Sequence, residues 1–175
     1  MFTTRRIWIA LAGAALALAA MTAGAEELQF KASLTAAAQL PEPTASKATG
    51  ECTLVVHEDD KKITYTLSVT DLSNAVTAEL HLGGPTANGP AVFKLFPRHG
   101  ASAKRGPFTG VLAEGTITAA DLTGPMQGSP IADLVDELRE GSAYVNIHTN
   151  DGTDGSKPGP GNYRLGEIRG QFGPK

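Results

Sequence analysis

The chain carries a single cysteine, one tryptophan and few aromatic residues, 6% of 175. One cysteine excludes an internal disulfide, so Cys52 must be buried, reactive or joined to another molecule. It stands in phase with Leu54 and Val56 in an alternating run, which favours burial. Catalytic signatures are also missing. There is no Gly-x-Ser-x-Gly elbow, no His-Glu-x-x-His pair and no phosphate-binding loop. Nothing here points to an enzyme. Basic residues are the minority. Setting aside Arg5 and Arg6 leaves 13 of the 15 Lys and Arg against 18 Asp and Glu, which speaks against a nucleic-acid partner.

The first 25 residues read as an export leader. Arg5 and Arg6 form a basic start, Ile7 to Ala20 is a short apolar stretch, and Ala23 and Ala25 mark a cleavage site before Glu26. The apolar stretch is shorter than the roughly 20 residues that a membrane-spanning helix needs. The expectation is a cleaved signal peptide over 1–25, a single domain over 26–175, and a periplasmic or secreted location with no membrane span. The Arg5-Arg6 pair resembles a twin-arginine signal only loosely, and the ordinary export route stays open beside it.

Beyond the leader the chain alternates. Leu28, Phe30, Ala32 and Leu34 share one face, and Glu51 to His57 and Ile63 to Val69 read as a hairpin around an acidic turn at Glu58–Lys61. Val76, Ala78, Leu80 and Leu82 alternate with Thr77, Glu79 and His81. Asn88-Gly89 is a turn signal, because both residues tolerate positive φ, and Ala91 to Phe96 is the return strand. Arg98 to Gly106 reads as a basic loop, and Phe108 to Thr118 as a strand broken at Glu114-Gly115. Ala143 to His148 and Tyr163 to Phe172 close the chain as strands around a Gly- and Pro-rich loop. One helix is expected over about 129–140. Ser129 is its N-cap, Pro130 its first residue, Ile131, Leu134, Val135 and Leu138 its apolar face, and Gly141 its stop. The fold class is mostly β: an antiparallel sandwich or barrel with Greek-key-like connections and one short helix.

Three segments carry a family likeness: "FKASLTAAAQLP", "TAELHLGGPTANGPAVFKLF", and "GSAYVNIHTN" followed by "GEIRGQF". In order and spacing, over roughly Leu28 to Phe172, the chain resembles the CHRD (chordin-type) domain family. The resemblance implies an immunoglobulin-like β-sandwich without a general enzymatic activity. The family occurs in exported bacterial proteins and in animal chordin, a secreted binder of growth factors. Where the family often has two histidines in an Ala-His-Ile-His strand, this chain has Ala78-Glu79-Leu80-His81.

Two functional expectations follow. The first is a non-enzymatic binding or scaffold module with a protein partner. The second is a metal site, copper or zinc, formed by Glu79, His81 and His148 with an associated redox role. Glu79 and His81 share one face of a strand, about 6.6 Å apart along it. His148 joins them if its strand is adjacent, and two imidazoles with one carboxylate suit zinc or iron, copper favouring more His. The competing reading makes these polar faces ordinary wet sheet, with Glu167 and Arg169 a surface or partly buried ion pair of small energy. His57 and His99 are expected to be solvated. Asn150 to Gly155 lacks the spacing of a calcium loop and reads as turns.

Overall fold

The computed structural model describes residues 27–57, 61–98, 100–153 and 157–173. The leader, the tip of the acidic turn at 58–60 and His99 lie outside the described residues.

Seven strands form one antiparallel sheet: β1 (Leu28–Thr35), β2 (Thr49–His57), β3 (Lys62–Leu82), β4 (Ala91–Phe96), β5 (Lys104–Thr118), β6 (Ala143–Thr149) and β7 (Ile168–Gln171). One helix, α1 (Ile131–Arg139), precedes β6. The order β2-β1-β7-β6-β3 returns to its start because β3 also pairs with β2, so the sheet closes into a barrel. Closure removes the exposed edges along that path. β4 and β5 hang on β3 as a flanking layer.

The period-2 pattern sets the inside. Phe30, Leu34, Leu54, Leu67, Leu80 and Ile147 are buried and project from β1, β2, β3 and β6 into a common core. Each such side chain contributes about 1.5–3 kcal/mol on leaving water. Cys52 is fully buried among them. Burial, with Glu51 adding to it, pushes its thiol well above the ordinary value.

Several sequence-based boundaries move. The two alternating runs at Ile63–Val69 and Val76–Leu82 are halves of one 21-residue strand. Between them Asp71 and Asn74 take positive φ (both 54°), and the register shifts against both β5 and β6 there. The strand bends without ending, and its two halves serve different neighbours. Glu114-Gly115 does not break β5. Gly115 lies under the Tyr65 ring, where an added Cβ would stand 3.1 Å from ring atoms. The expected basic loop ends at Ala103, since Lys104 already belongs to β5. Only Ile168–Gln171 of the last expected strand is extended.

The helix also starts later than expected. Pro130, not Ser129, is the N-cap, with ψ 155°, and no side chain caps the first turn. A residue before proline is driven out of the helical region, and the Ser129 amide already closes a turn onto Met126. The other end is as expected. Gly141 has φ 68° and donates to Leu138, while Ser142 donates to Glu137, the paired bonds of a Schellman stop. Ile131, Leu134, Val135 and Leu138 form the buried face.

Asn88-Gly89 is not the positive-φ turn expected. Neither residue has positive φ; the chain turns at Pro85-Thr86, closed by the Ala87 amide on Gly84. Gly89 is required for another reason. A Cβ there would lie 1.9 Å from the Leu82 carbonyl oxygen.

Candidate metal centre

β6 is hydrogen-bonded to the second half of β3, with Thr77 opposite His148, Glu79 opposite Asn146 and His81 opposite Tyr144. Alternation turns the side chains of all six to the outside of the barrel. His148 is thereby diagonal to Glu79, and Glu79 and His81 are two residues apart on one strand. One donor atom from each of Glu79, His81 and His148 lies within 4.8 Å of the others. Both Nε2 atoms stand 3.9 Å from the same carboxylate oxygen, Oε2 of Glu79.

The far side of each imidazole fixes its tautomer. Nδ1 of His81 meets the Gly89 carbonyl at 2.9 Å, and Nδ1 of His148 meets the Arg164 carbonyl at 2.9 Å. A carbonyl only accepts, so each Nδ1 carries a proton, and a ring in its neutral form presents a bare lone pair at Nε2. These two Nε2 atoms are buried and have no hydrogen-bond partner. With both rings neutral, two lone pairs and a carboxylate face one another, and the 3.9 Å gaps are too long for hydrogen bonds. Protonating His81 would relieve this, but burial holds its proton affinity below the ordinary value. Gly89 and Glu79 act the other way without prevailing, and His148 and Arg169 oppose protonation further. A metal ion would satisfy all three groups at once. With two sides of 3.9 Å and a third of at most 4.8 Å, an ion equidistant from the three donors in their plane would stand no more than about 2.5 Å from each. Side-chain movement of a few tenths of an ångström would reach the 2.0–2.2 Å of zinc bonds to His and carboxylate.

The outer face of this barrel wall is not ordinary wet sheet. Along β6, Tyr144 and Asn146 are buried, and so are Glu167 and Arg169 beside them, each 1% exposed. The expected Glu167–Arg169 ion pair is not how these groups are satisfied. Glu167 accepts from Ser46 (2.5 Å), Thr149 (2.5 Å) and the Gly161 amide (2.9 Å). Arg169 donates to the carbonyls of Gly84 (3.0 Å) and Ala87 (3.2 Å) and to Gln171 (3.1 Å). Alternation reports which side of a strand a residue occupies, and here the loops 83–90 and 158–167 cover the outer side as well. Gln39, almost fully buried, reaches Asn146 across the same wall.

The remaining candidates are separate. His57 bonds Thr64 and lies 3.6 Å from Glu27 on another part of the barrel. Asn150 and Asp151 accept from the amides of Gly152 and Thr153, the two-residue turns that their composition suggested. Sequence reasoning missed the carbonyls of Gly89 and Arg164, which orient the imidazoles, and singled out Gly89 only as a turn residue. No helix among the described residues is long and apolar enough to cross a membrane.

A search of curated proteins returned no match. The CHRD domain matches residues 30–156, a stretch that includes Glu79, His81 and His148 and stops short of the "GEIRGQF" segment. With most of its length so matched, the chain belongs to the CHRD domain family.

Proposed function

We propose that this protein is an exported CHRD domain that binds one transition-metal ion, zinc or copper, at Glu79, His81 and His148. One observation carries the reading: two buried imidazole Nε2 atoms without partners, both aimed at one carboxylate. Buried polar atoms in folded proteins are almost always satisfied, and a bound ion is one of the few things that accounts for an exception. The orienting bonds from Nδ1 to backbone carbonyls are the outer shell that metal-binding histidines use. His₂Glu is a zinc set, and the affinity order of divalent ions favours copper. Three protein donors leave a coordination position for water or another small ligand. Export to the periplasm or beyond is supported by the leader pattern in residues 1–25. A protein-docking module would want a broad apolar patch. The large apolar side chains exposed among the described residues, Val111 and Leu165, line different depressions.

The test is elemental analysis of protein purified from its exported form without chelator, followed by titration with Zn²⁺ and Cu²⁺. The expected result is one ion per chain in the wild type and none in the His81→Ala, His148→Ala double variant. Wild-type protein that takes up neither ion would end the reading.

A further inference from the structure

His81 is a usable ligand only while the Gly89 carbonyl holds its Nδ1 proton, so whatever fixes Gly89 governs the site. Gly89 donates its amide to the Tyr144 hydroxyl at 3.0 Å, and that hydroxyl in turn reaches the Gly89 carbonyl at 3.4 Å. The Tyr144 ring lies flat against the His81 imidazole, with centroids 4.9 Å apart and planes 12° from parallel. On β7, Arg169 places its guanidinium 3.9 Å from the same ring. Because β6 runs between β3 and β7, His81 and Arg169 approach Tyr144 from neighbouring strands on either side. Arg169 also bonds the Gly84 and Ala87 carbonyls, and Gln171 bonds that of Gly83, so the loop carrying Gly89 is tied down along its length.

Resting on the metal reading above, we propose that Tyr144 and Arg169 are positioning residues of the metal site. Neither touches the ion. Tyr144 sets the tautomer and tilt of His81 through Gly89 and through stacking, and Arg169 holds Tyr144 and the loop in place. Arginine suits this because its planar fork stacks on an aromatic face while bonding several carbonyls, which a lysine cannot do. The arrangement fixes the ligand before the ion arrives, and loss of such an orienting partner typically weakens metal binding 10- to 100-fold.

The deciding variant is Tyr144→Phe, which keeps the ring and removes only the hydroxyl; Arg169→Lys is the second. Two readouts are needed. The first is ¹H–¹⁵N correlation of the imidazoles in metal-free protein, which reports the tautomer directly. The second is Zn²⁺ affinity by competition with a chromophoric chelator. In the wild type, His81 and His148 should both be Nδ1–H. In Tyr144→Phe, His81 should become a tautomer mixture while His148 is unchanged, and the Zn²⁺ dissociation constant should rise 10- to 100-fold. Arg169→Lys should shift both readouts in the same direction. A variant His81 that stays fully Nδ1–H, with Zn²⁺ affinity within twofold of wild type, would overturn the proposal. Wild-type protein that ignores Zn²⁺ and Cu²⁺ defeats the metal reading instead, and the tautomer comparison still decides the role of Tyr144.

Discussion

Replacing Gly89 by alanine tests the loop and the site together. The new Cβ would sit 1.9 Å from the Leu82 oxygen and 2.9 Å from its carbon, and both belong to backbone within β3. No side-chain rotation relieves that overlap, so the loop has to lift. Three bonds are then at risk: Gly89 amide to Tyr144 (3.0 Å), His81 Nδ1 to the Gly89 carbonyl (2.9 Å), and Leu82 amide to the Pro90 carbonyl (3.0 Å). At a net value near 1 kcal/mol each, the cost is about 3 kcal/mol. In a domain of this size 1 kcal/mol moves Tm by about 2–4 °C, so a fall of about 6–12 °C is expected by calorimetry or circular dichroism. Gly84 supplies the control in the same loop. A Cβ there meets nothing within 4 Å, and its backbone does not need positive φ. Gly84→Ala should therefore be neutral or stabilising by about 0.4–1 kcal/mol. If the two variants melt within 2 °C of each other, the close-packing argument for Gly89 is wrong.

Other outcomes follow from separate parts of the structure. Glu167→Gln would keep one oxygen for Thr149 and Gly161 but oblige the Ser46 hydroxyl to turn and accept from the new amide, replacing charge-assisted bonds by neutral ones, and should destabilise by about 1–2 kcal/mol in urea unfolding. Ser129→Ala should change Tm by less than 1 °C, because Ser129 caps nothing, whereas substitution at a true N-cap costs about 1 kcal/mol. Cys52 should resist alkylation in the folded protein at pH 8 and react once urea unfolds it, since its raised pKa leaves almost no thiolate. The same shift has a stability consequence. Above the ordinary thiol value of 9.0 the unfolded chain releases a proton that the folded chain retains, so stability should decline as pH rises past it.

What the sequence made legible was decided by local periodicity. The inward residues of β1, β2 and the first half of β3, the apolar face of α1 and the Gly141 stop follow from spacing and backbone preference, whereas the bend in β3 turns Leu72 and Ala75 inward and leaves Val76 half-buried. The candidate site was half legible. Alternation put Glu79 and His81 on one face, but whether His148 joined them depended on β6 pairing with β3, a contact between residues some 70 positions apart. Periodicity also failed on the outer wall. Polar residues such as Asn146, Glu167 and Arg169 look solvent-facing by alternation, and only the return of distant loops buries them. Asn88-Gly89 misled for a related reason. A glycine that avoids a clash and a glycine that supplies positive φ are indistinguishable in sequence.

β3 gives this barrel an unusual dependence on a single segment. It pairs with β2, β4, β5 and β6. Most small β domains distribute their pairings, so an edge hairpin can open while the rest persists. Here detaching β3 would open the barrel between β2 and β6, release both flanking strands and part Glu79 and His81 from His148 in one event. Amide hydrogens along its middle should then exchange only when the whole domain unfolds. Slow exchange there would make loss of the metal site and loss of the fold the same transition.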